Sequence, residues 1–419
     1  MSRLVVYLNR RRAGELAQAE DALPTFSYDQ EYLSDTKATP LSRQLPLRPE
    51  VFSGGVVRAF FVGILPEADV RDQVAAILGV SPENDLGLME RIGGECAGAV
   101  SLLRSDAPPP PQGAGRLQWV SKEELADIIR ELPRRPLMAG REGVRLSLAG
   151  AQSKLPIVFP FPGTDAEGVA ALPLDGAAST HIIKPEPDRF PGLAANEAYC
   201  MVLARHVGLK ASETQWKMIG GTPCLIVRRY DRTESSDGEV IRSHQEDFCQ
   251  ALGIPPERKY QQEGGPSLPD CFVLLREWST LPVLDVREFL DAVTFGVLIG
   301  NADAHAKNFS FLYSNGQRRL APLYDQVCTL AWPELSKTLS MKIGSASILP
   351  QVSPEHFQQL ASKAGLGPAV ARERLVGMCR RIVASVSDDT IAAPLLDSVN
   401  GIRTIIFERA ERMLGLLRR

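Results

Sequence analysis

Four consecutive prolines at positions 108–111 limit the fold of this chain more than any other feature of its sequence. A proline run is stiff and extended, and it cannot lie inside a helix or a central strand because proline has no backbone N–H to donate. We therefore predict a domain boundary at 107–113. The 419 residues are enough for two or three domains, and we expect them at 1–106, 114–232 and 243–419.

Short apolar and β-branched runs predict strands in the part of the chain that precedes the last of these domains. The first run is 3–9, and a later group comprises 144–148, 155–159, 180–183 and 224–227. One helical pattern, at 194–207, interrupts the later group. The pattern therefore predicts a small sheet accompanied by a single helix.

Helix signals dominate the last part of the chain. Earlier in the chain, after the proline run, Ser121 and Glu124 form a capping-box pattern before a helix. We interpret Asp285 as the N-cap of a long apolar helix and Ser353, which precedes a proline, as the N-cap of another. The segment 402–417 is amphipathic. A sheet-rich part followed by a helical part predicts an α+β fold.

Charge and cysteine content disfavour overall binding to nucleic acid or anionic lipid, and they disfavour a structural zinc site. The net charge of −3 gives no overall attraction to nucleic acid or anionic lipid. The seven cysteines are widely spaced without a C-x-x-C pair, which disfavours structural zinc and predicts reduced thiols. We see neither a signal peptide at the N-terminus nor an apolar run long enough to span a membrane, so we expect a cytoplasmic protein.

Three oxygen-bearing side chains, Asp303, Asn308 and Asp325, indicate phosphoryl transfer. In kinases a base Asp and a metal-binding Asn lie five residues apart on one loop, and a metal-binding Asp follows roughly twenty residues later. The same spacings here are five and twenty-two residues. The Asp-x-x-x-x-Asn spacing alone is common by chance, but the preceding helix, the strand-like 309–313 and the second Asp favour the functional interpretation. Such ligands suit Mg²⁺.

Three upstream segments fit the same chemistry, although each has an ordinary structural alternative. Lys184 ends a predicted strand and Glu197 lies at the start of the next helix, as in the kinase phosphate-binding pair; a solvated edge lysine is the alternative. Segment 145–154 is rich in small residues that let backbone N–H groups approach an anion, or it is a plain hairpin. Segment 224–231 is either a hinge that binds adenine or a core strand.

Together these segments resemble the HipA family of bacterial toxin kinases. The motifs that carry the resemblance follow one another in the family's order at 60–66, 92–98, 145–154, 180–184, 196–201, 227–232, 245–253, 301–310, 323–325 and 341–344. The resemblance implies a two-lobed, phosphoinositide-3-kinase-like fold with a β-rich N-terminal subdomain and a mainly helical C-lobe. It also implies that ATP and Mg²⁺ are used.

The resemblance implies partners as well. Family members are typically toxins of type II toxin–antitoxin systems, held by a small helix-turn-helix antitoxin (HipB-like) and through it by operator DNA. In one branch the kinase phosphorylates an aminoacyl-tRNA synthetase, which halts translation and promotes persistence. By this resemblance the chain is a bacterial, ATP-dependent protein serine/threonine kinase.

Site residues carry over position by position. Asp303 matches the catalytic base, Asn308 and Asp325 match the metal ligands, and Ser147 matches the serine that such kinases autophosphorylate. Arg228 stands where the family often has Glu, and Ser153 offers a competing phosphorylation site. The residues expected at the nucleotide are Ala149, Gly150, Ala151, Gln152, Ser153, Lys154, Lys184, Arg228, Arg229, Tyr230, His305, Ala306, Lys307, Asn308, Tyr324 and Asp325.

Phosphorylation of Ser147 is expected to inactivate the kinase, because a phosphate adds nearly two negative charges beside a loop that contacts a triphosphate. Two other functions stay open. A small-molecule kinase would share the same catalytic loop, and a nucleotide-binding scaffold for a DNA-bound antitoxin would need no transfer. A serine hydrolase is disfavoured because the chain has no G-x-S-x-G motif.

Overall fold

The computed structural model describes residues 2–19, 23–110, 115–160, 168–235, 239–393 and 395–418. Backbone packing divides the chain into two compact units. The first comprises Met1–Pro187, Lys217–Pro256 and Leu312–Gln317, and the second Asp188–Trp216, Glu257–Phe311 and Arg318–Arg419. Residues 111–113 of the predicted boundary lie outside the described residues. The division into three domains stays a prediction.

An antiparallel sheet forms the N-terminal part of the first unit. Its strand order is Phe52–Ser53, Thr25–Tyr28, Arg11–Gln18, Ser2–Leu8 and Val100–Leu103. The strand predicted at 3–9 is thus confirmed. The helices Gly55–Val62, Ala68–Leu78 and Asp85–Ile92 accompany this sheet and share its buried apolar core, whose largest fully buried side chains are Phe26, Phe60 and Phe61. A short helix, Gln30–Ser34, follows the third strand in the chain.

The rest of the first unit contains the predicted small sheet. The strands Thr222–Arg228, His181–Pro185 and Leu155–Ile157 are neighbours in it, and Thr214–Ile219, where the chain passes from the second unit into the first, is its fourth strand. The strands Arg116–Val120 and Ala170–Leu174 pair separately, beside the helix Lys122–Glu131. The remaining elements are the strands Arg232–Glu234, Val240–Arg242 and His244–Asp247 and the helix Phe248–Leu252.

The strand predicted at 144–148 is absent. Its alternating apolar side chains are buried as expected, but its backbone forms a single isolated bridge, between Leu146 and Glu95. Arg145 O accepts from Glu95 N–H at 2.9 Å, and Ser147 N–H donates to Glu95 O at 2.9 Å. The alternation of apolar residues at 144–148 therefore indicates burial in a core and does not indicate a strand of a sheet.

The second unit is mainly helical. Its long helices are Leu193–His206, Leu268–Trp278, Pro282–Ile299, Pro354–Lys363, Pro368–Val386 and Leu396–Leu417, with a short one at Asp389–Ala392. The strands Thr338–Ile343 and Ala346–Ile348 form a hairpin. The strand Ser310–Ser314 begins in this unit, and the strand Gln317–Leu320 ends in it.

The structure confirms two of the three predicted helix N-caps, one in each unit. Ser121 and Glu124 make both bonds of the capping box, at 3.2 and 2.8 Å, and Ser353 caps the helix Pro354–Lys363. Asp285 is not an N-cap, because the helix Pro282–Ile299 begins one turn earlier, after Leu281. Its buried carboxylate instead accepts from the Arg319 guanidinium at 2.8 Å.

Within the described residues, no helix is both long and apolar enough to cross a membrane. All seven cysteines are buried free thiols.

Candidate active site

The catalytic loop follows the long helix Pro282–Ile299 and is held by its own hydrogen bonds. Gly300 ends the helix with φ +87°, a left-handed conformation that favours glycine. Asn301 Oδ1 then accepts from Asp303 N–H at 2.9 Å, and His305 N–H donates to Asp303 O at 2.8 Å. These bonds fix the backbone on both sides of the predicted base.

The Asp303 side chain is exposed at the surface of this loop, yet it has polar neighbours. Ser340 Oγ donates to its Oδ1 at 3.3 Å. Desolvation by the surrounding protein raises the pKa of Asp303, and the Asp325 carboxylate adds to the rise, whereas Lys259, a Tyr260 hydrogen bond and Ser340 lower it. A carboxylate whose pKa is moved toward neutrality is a better proton acceptor than an ordinary aspartate.

Asn308 and Asp325, the two predicted metal ligands, touch each other. Asn308 Nδ2 donates to Asp325 Oδ2 at 3.1 Å. Asp325 has φ +59°, a conformation that costs a non-glycine residue energy and is concentrated at functional sites. The structure thus brings Asp303, Asn308 and Asp325 onto adjoining loops of one unit.

Tyr324 connects the same two loops. Its hydroxyl donates to Lys307 O at 2.7 Å and shares a hydrogen bond of 2.7 Å with the Ser310 hydroxyl. His305 and Lys307 are buried together with the short turn Ala306–Asn308. The predicted nucleotide residues of the second unit are therefore neighbours.

The oxygen ligands can be tested against the chemistry of Mg²⁺. The described residues contain no group of three His, Cys, Asp or Glu side chains placed to bind a metal. Mg²⁺ does not need one, since it keeps several waters and binds through one or two carboxylates and substrate phosphates. The Asp325 carboxylate fits this pattern. Asn308 Oδ1 accepts from His305 N–H at 3.1 Å, so the amide has to release that bond to become a ligand.

Ser147, the predicted autophosphorylation site, is fully buried in the first unit. Its hydroxyl donates to Ile64 O at 3.0 Å and its N–H donates to Glu95 O at 2.9 Å. Further along, Gly150 O accepts from Glu67 N–H at 3.2 Å. A phosphate on Ser147 cannot form while the segment keeps this position, because the hydroxyl is closed off from any nucleotide.

The predicted ATP-covering loop follows directly. Lys154 Nζ donates to Ala149 O across the loop, and Gln152 Nε2 donates to Pro185 O at 3.4 Å. Gly150 has φ +112°, which an L side chain rarely adopts. Lys184, with 8% of its surface exposed, lies on the strand His181–Pro185. Ala151 is exposed, and Ser153 is half-buried.

The predicted hinge residues differ in what they contact. Arg228 is exposed at the end of its strand, and the Tyr230 hydroxyl donates to Gln245. Arg229 is buried, and its guanidinium contacts Glu95 at 2.8 Å and Asp231 at 2.8 Å. The structure therefore places the Arg229 side chain in a buried ion-pair cluster, and its role at the nucleotide stays a prediction.

Sequence reasoning missed three residues around Asp303: Lys259, Tyr260 and Ser340. Ser340 directly precedes a motif that carries the family resemblance, so its position was a usable signal. Lys259 and Tyr260 lie in an irregular segment between two prolines and two glycines, where no periodicity indicates which side chains face the catalytic loop.

Comparisons with known proteins identify the family of this chain. Residues 4–103 match the family model of the HipA N-terminal domain, and residues 146–387 match that of the HipA-like C-terminal domain. Y4mE of Sinorhizobium fredii, a candidate kinase by name, is 46% identical over 393 residues, which cover 92% of each chain. The serine/threonine-protein kinase toxin HipA of Shewanella oneidensis is 28% identical over 400 residues, covering 90% of this chain and 88% of that protein.

A solved structure extends the similarity to three dimensions. HipA in the complex of Shewanella oneidensis HipA, HipB and operator DNA matches with a TM-score of 0.86 and 27% identity. The match covers 99% of this chain and 98% of that one. The α+β, two-lobed, protein-kinase-like fold predicted from the sequence is thereby confirmed.

Proposed function

This chain belongs to the HipA family, and from that premise we propose that it is an ATP-dependent protein serine/threonine kinase. The convergence of Asp303, Asn308 and Asp325 on adjoining loops carries the proposal. Phosphoryl transfer needs positioning and charge stabilisation more than covalent help from the protein, and these three side chains are of the types that provide them.

Each residue has a role in the proposed reaction. Asp303 orients the acceptor hydroxyl and takes its proton, for which its raised pKa is suited. Asp325 and Asn308 hold Mg²⁺, which neutralises phosphate charge when it is bound. Lys184 contacts the phosphates, and the loop 149–154 covers them with backbone N–H groups, the role that small residues permit.

The remaining nucleotide contacts follow the family pattern. We assign adenine to the hinge residues Arg228, Arg229 and Tyr230, with the backbone as the main contact. The Mg²⁺ ligands have four further neighbours on the catalytic-loop side, His305, Ala306, Lys307 and Tyr324. The hydrogen bond of 2.7 Å from the Tyr324 hydroxyl to Lys307 O supports this grouping.

We further propose that the kinase is the toxin of a type II toxin–antitoxin system. A HipB-like helix-turn-helix antitoxin would hold it at operator DNA, and its substrate would be a translation component such as an aminoacyl-tRNA synthetase. The similarity to a HipA solved together with HipB and operator DNA supports the first two partners. The substrate rests on the family resemblance.

Autophosphorylation at Ser147 is proposed as the means of self-inactivation. Because the Ser147 hydroxyl is buried against Ile64 O, its segment has to leave this position before it can be phosphorylated. The added charge would then oppose its return to a buried site. Ser153, which is half-buried, is the competing site.

Radiolabel transfer from γ-³²P-ATP tests the proposal. Wild type is expected to transfer label to protein, and Asp303→Ala to lose the transfer, while the exposed-carboxylate control Asp397→Asn keeps it. Label on a small molecule alone would favour a small-molecule kinase. Nucleotide binding without transfer would favour the scaffold, and transfer that survives Asp303→Ala would contradict the assigned base.

A further inference from the structure

A short segment beside the catalytic loop is held in place by a tight turn. The segment runs through the single turns Pro256–Arg258 and Gln261–Glu263 and reverses at two glycines. Gly265 N–H donates to Tyr260 O at 2.9 Å, and a Cβ added to Gly265 would stand 2.3 Å from Arg258 O. Only glycine fits there, so the turn fixes the backbone position of Tyr260.

The same segment is anchored on the strand that supports Asp303. The turn Gln261–Glu263 packs against the strand Thr338–Ile343, and Lys342 N–H donates to Gln261 Oε1 at 2.8 Å. Two residues earlier on that strand, Ser340 donates to Asp303 Oδ1 at 3.3 Å. The segment and the Asp303 carboxylate thus both contact the strand Thr338–Ile343.

Two side chains of the segment reach the catalytic loop. The Tyr260 ring meets the His305 ring edge-on, with centroids 5.5 Å apart and an interplanar angle of 72°. Its side chain also makes a hydrogen bond with the Asp303 carboxylate. The Lys259 ammonium lies 5.4 Å from the Tyr260 ring centroid and interacts electrostatically with Asp303.

Resting on the kinase function proposed above, we propose that Tyr260 positions Asp303 and that Lys259 is a further catalytic residue that contacts the transferred phosphoryl group. Tyr260 and Ser340 each hydrogen-bond the Asp303 carboxylate, and the two bonds together restrict its orientation. A hydroxyl bound by Asp303 receives the phosphoryl group, so a cation beside that carboxylate also lies beside the phosphorus that the hydroxyl attacks.

The charge balance of the transfer explains why a cation is useful there. The acceptor oxygen forms a bond to the γ-phosphorus, the bond from that phosphorus to the bridging oxygen breaks, and its electron pair leaves with ADP. The hydroxyl proton passes to Asp303. Three phosphoryl oxygens carry negative charge throughout, and the Lys259 ammonium stabilises that charge beside the two carboxylates, Asp303 and Asp325.

A steady-state comparison of variants tests the inference. Initial rates of ³²P transfer from ATP to the chain itself and to added casein would be measured for wild type, Lys259→Ala, Lys259→Arg and Tyr260→Phe. Lys342→Ala is the matched control, because its exposed side chain lies on the supporting strand; Tyr7→Phe controls for the loss of a hydroxyl. Melting temperatures and ATP dissociation constants are measured for each.

Lys259→Ala is expected to lower kcat about 100-fold, as the loss of one charge-stabilising donor does, and to change the Kd for ATP much less. Lys259→Arg should recover part of that loss because it restores the cation, which a purely structural role does not require. Tyr260→Phe should lower kcat about tenfold at unchanged KM for ATP.

The inference would be overturned if Lys259→Ala and Tyr260→Phe had the kcat of wild type, if they lost only ATP affinity, or if Lys342→Ala lost as much activity as they do. Each of these outcomes would leave the kinase function intact. Failure of wild type to transfer phosphate to any protein would overturn the proposed function itself.

Discussion

At the scale of single residues, the burial of Ser147 is the observation that most affects regulation. Its hydroxyl and its N–H are both bonded to the N-terminal part of the first unit, to Ile64 O and Glu95 O. The buried position of Ser147 is therefore stabilised by two hydrogen bonds, which phosphorylation has to break. The serine that we propose as the switch is thus a structural residue in this state.

Ser147→Ala is expected to destabilise the protein by about 1 kcal/mol, because Ile64 O loses its buried donor. Ser147→Asp places a charge where no water reaches, so it should displace the segment and reduce ATP affinity at least tenfold. Thermal unfolding and ATP titration measure the two effects. Ser105→Asp, on an exposed serine of the same unit, is the control, and equal ATP affinity in Ser147→Asp, Ser105→Asp and wild type would contradict the switch.

Glu246 is a second buried residue with a measurable consequence. It accepts hydrogen bonds from Ser42 Oγ at 2.6 Å, from Arg43 N–H at 3.1 Å and from the Tyr313 hydroxyl. Burial nevertheless raises the pKa of Glu246 to about 7, and these hydrogen bonds only partly oppose the rise. The neighbouring His244 has the opposite behaviour, because burial lowers its pKa to about 4.

The pH dependence of stability follows with a defined sign. Between pH 4.5 and 7 the folded state keeps a proton on Glu246 that the unfolded state has lost, so this group lowers the free energy of unfolding as pH rises, by roughly 3 kcal/mol in total. Glu246→Gln removes that dependence. The unfolding free energy of wild type minus that of the variant should therefore fall from pH 4.5 to pH 7, as measured by urea titration.

His244 raises stability with pH in wild type and variant alike, so the difference between them cancels its contribution. Glu31→Gln, on an exposed side chain of the same unit, is the control and should follow wild type. An unfolding-energy difference that stays constant across this pH range would show that Glu246 keeps an ordinary pKa in the folded state.

At the scale of elements, a buried ion-pair cluster joins two segments of the first unit. Glu95 contacts Arg229 at 2.8 Å and Arg232 at 2.7 Å, and Asp231 contacts the same two arginines at 2.8 and 2.9 Å. Their side chains are at most 5% exposed. The main chain of Glu95 also holds Ser147, so one residue links the proposed autophosphorylation segment to the predicted hinge.

Glu95→Gln is expected to destabilise the protein by about 3–5 kcal/mol, because two buried guanidinium groups lose part of their neutralising charge. The KM for ATP should rise as well, since the hinge segment loses a support. The exposed pair of Arg104 and Asp106, at 2.7 Å, provides the control: Asp106→Asn should cost less than about 1 kcal/mol. Equal melting temperatures for the two variants would contradict the assigned importance of the cluster.

At the scale of the whole molecule, the fold class predicted from the sequence is confirmed, whereas the catalytic loop and the division into three domains stay predictions. Spacing along one loop and the next identified Asp303, Asn308 and Asp325, because these residues are close in sequence and their chemistry is specific. The contacts of Glu95 with Arg229 and of Ser42 with Glu246 span 134 and 204 residues. Pairings at such distances leave no periodic signal in a single sequence, and neither do Lys259 and Tyr260.

The proline run likewise gives no information on contacts between residues that are distant in sequence, and it leads to the last prediction. It predicts a separate domain at 1–106, which stays a prediction, and in the structure Glu95, Ile64 and Glu67 of that segment are hydrogen-bonded to other parts of the first unit. A fragment of residues 104–419 lacks the Glu95 carboxylate that pairs with Arg229 and Arg232. We therefore expect trypsin to cleave the fragment at these two arginines, and we expect the fragment to bind no ATP.

Trypsin digestion followed by mass spectrometry measures the protection of these two arginines, with the full chain as reference. Co-expression with a fragment of residues 1–106 should restore part of it, because the contacts between the two fragments are buried and noncovalent. A 104–419 fragment as resistant as the full chain at both arginines would show that the N-terminal segment folds and acts separately, as the prolines alone suggest. Restoration by the second fragment would show instead that the kinase core is incomplete without residues that precede the proline run.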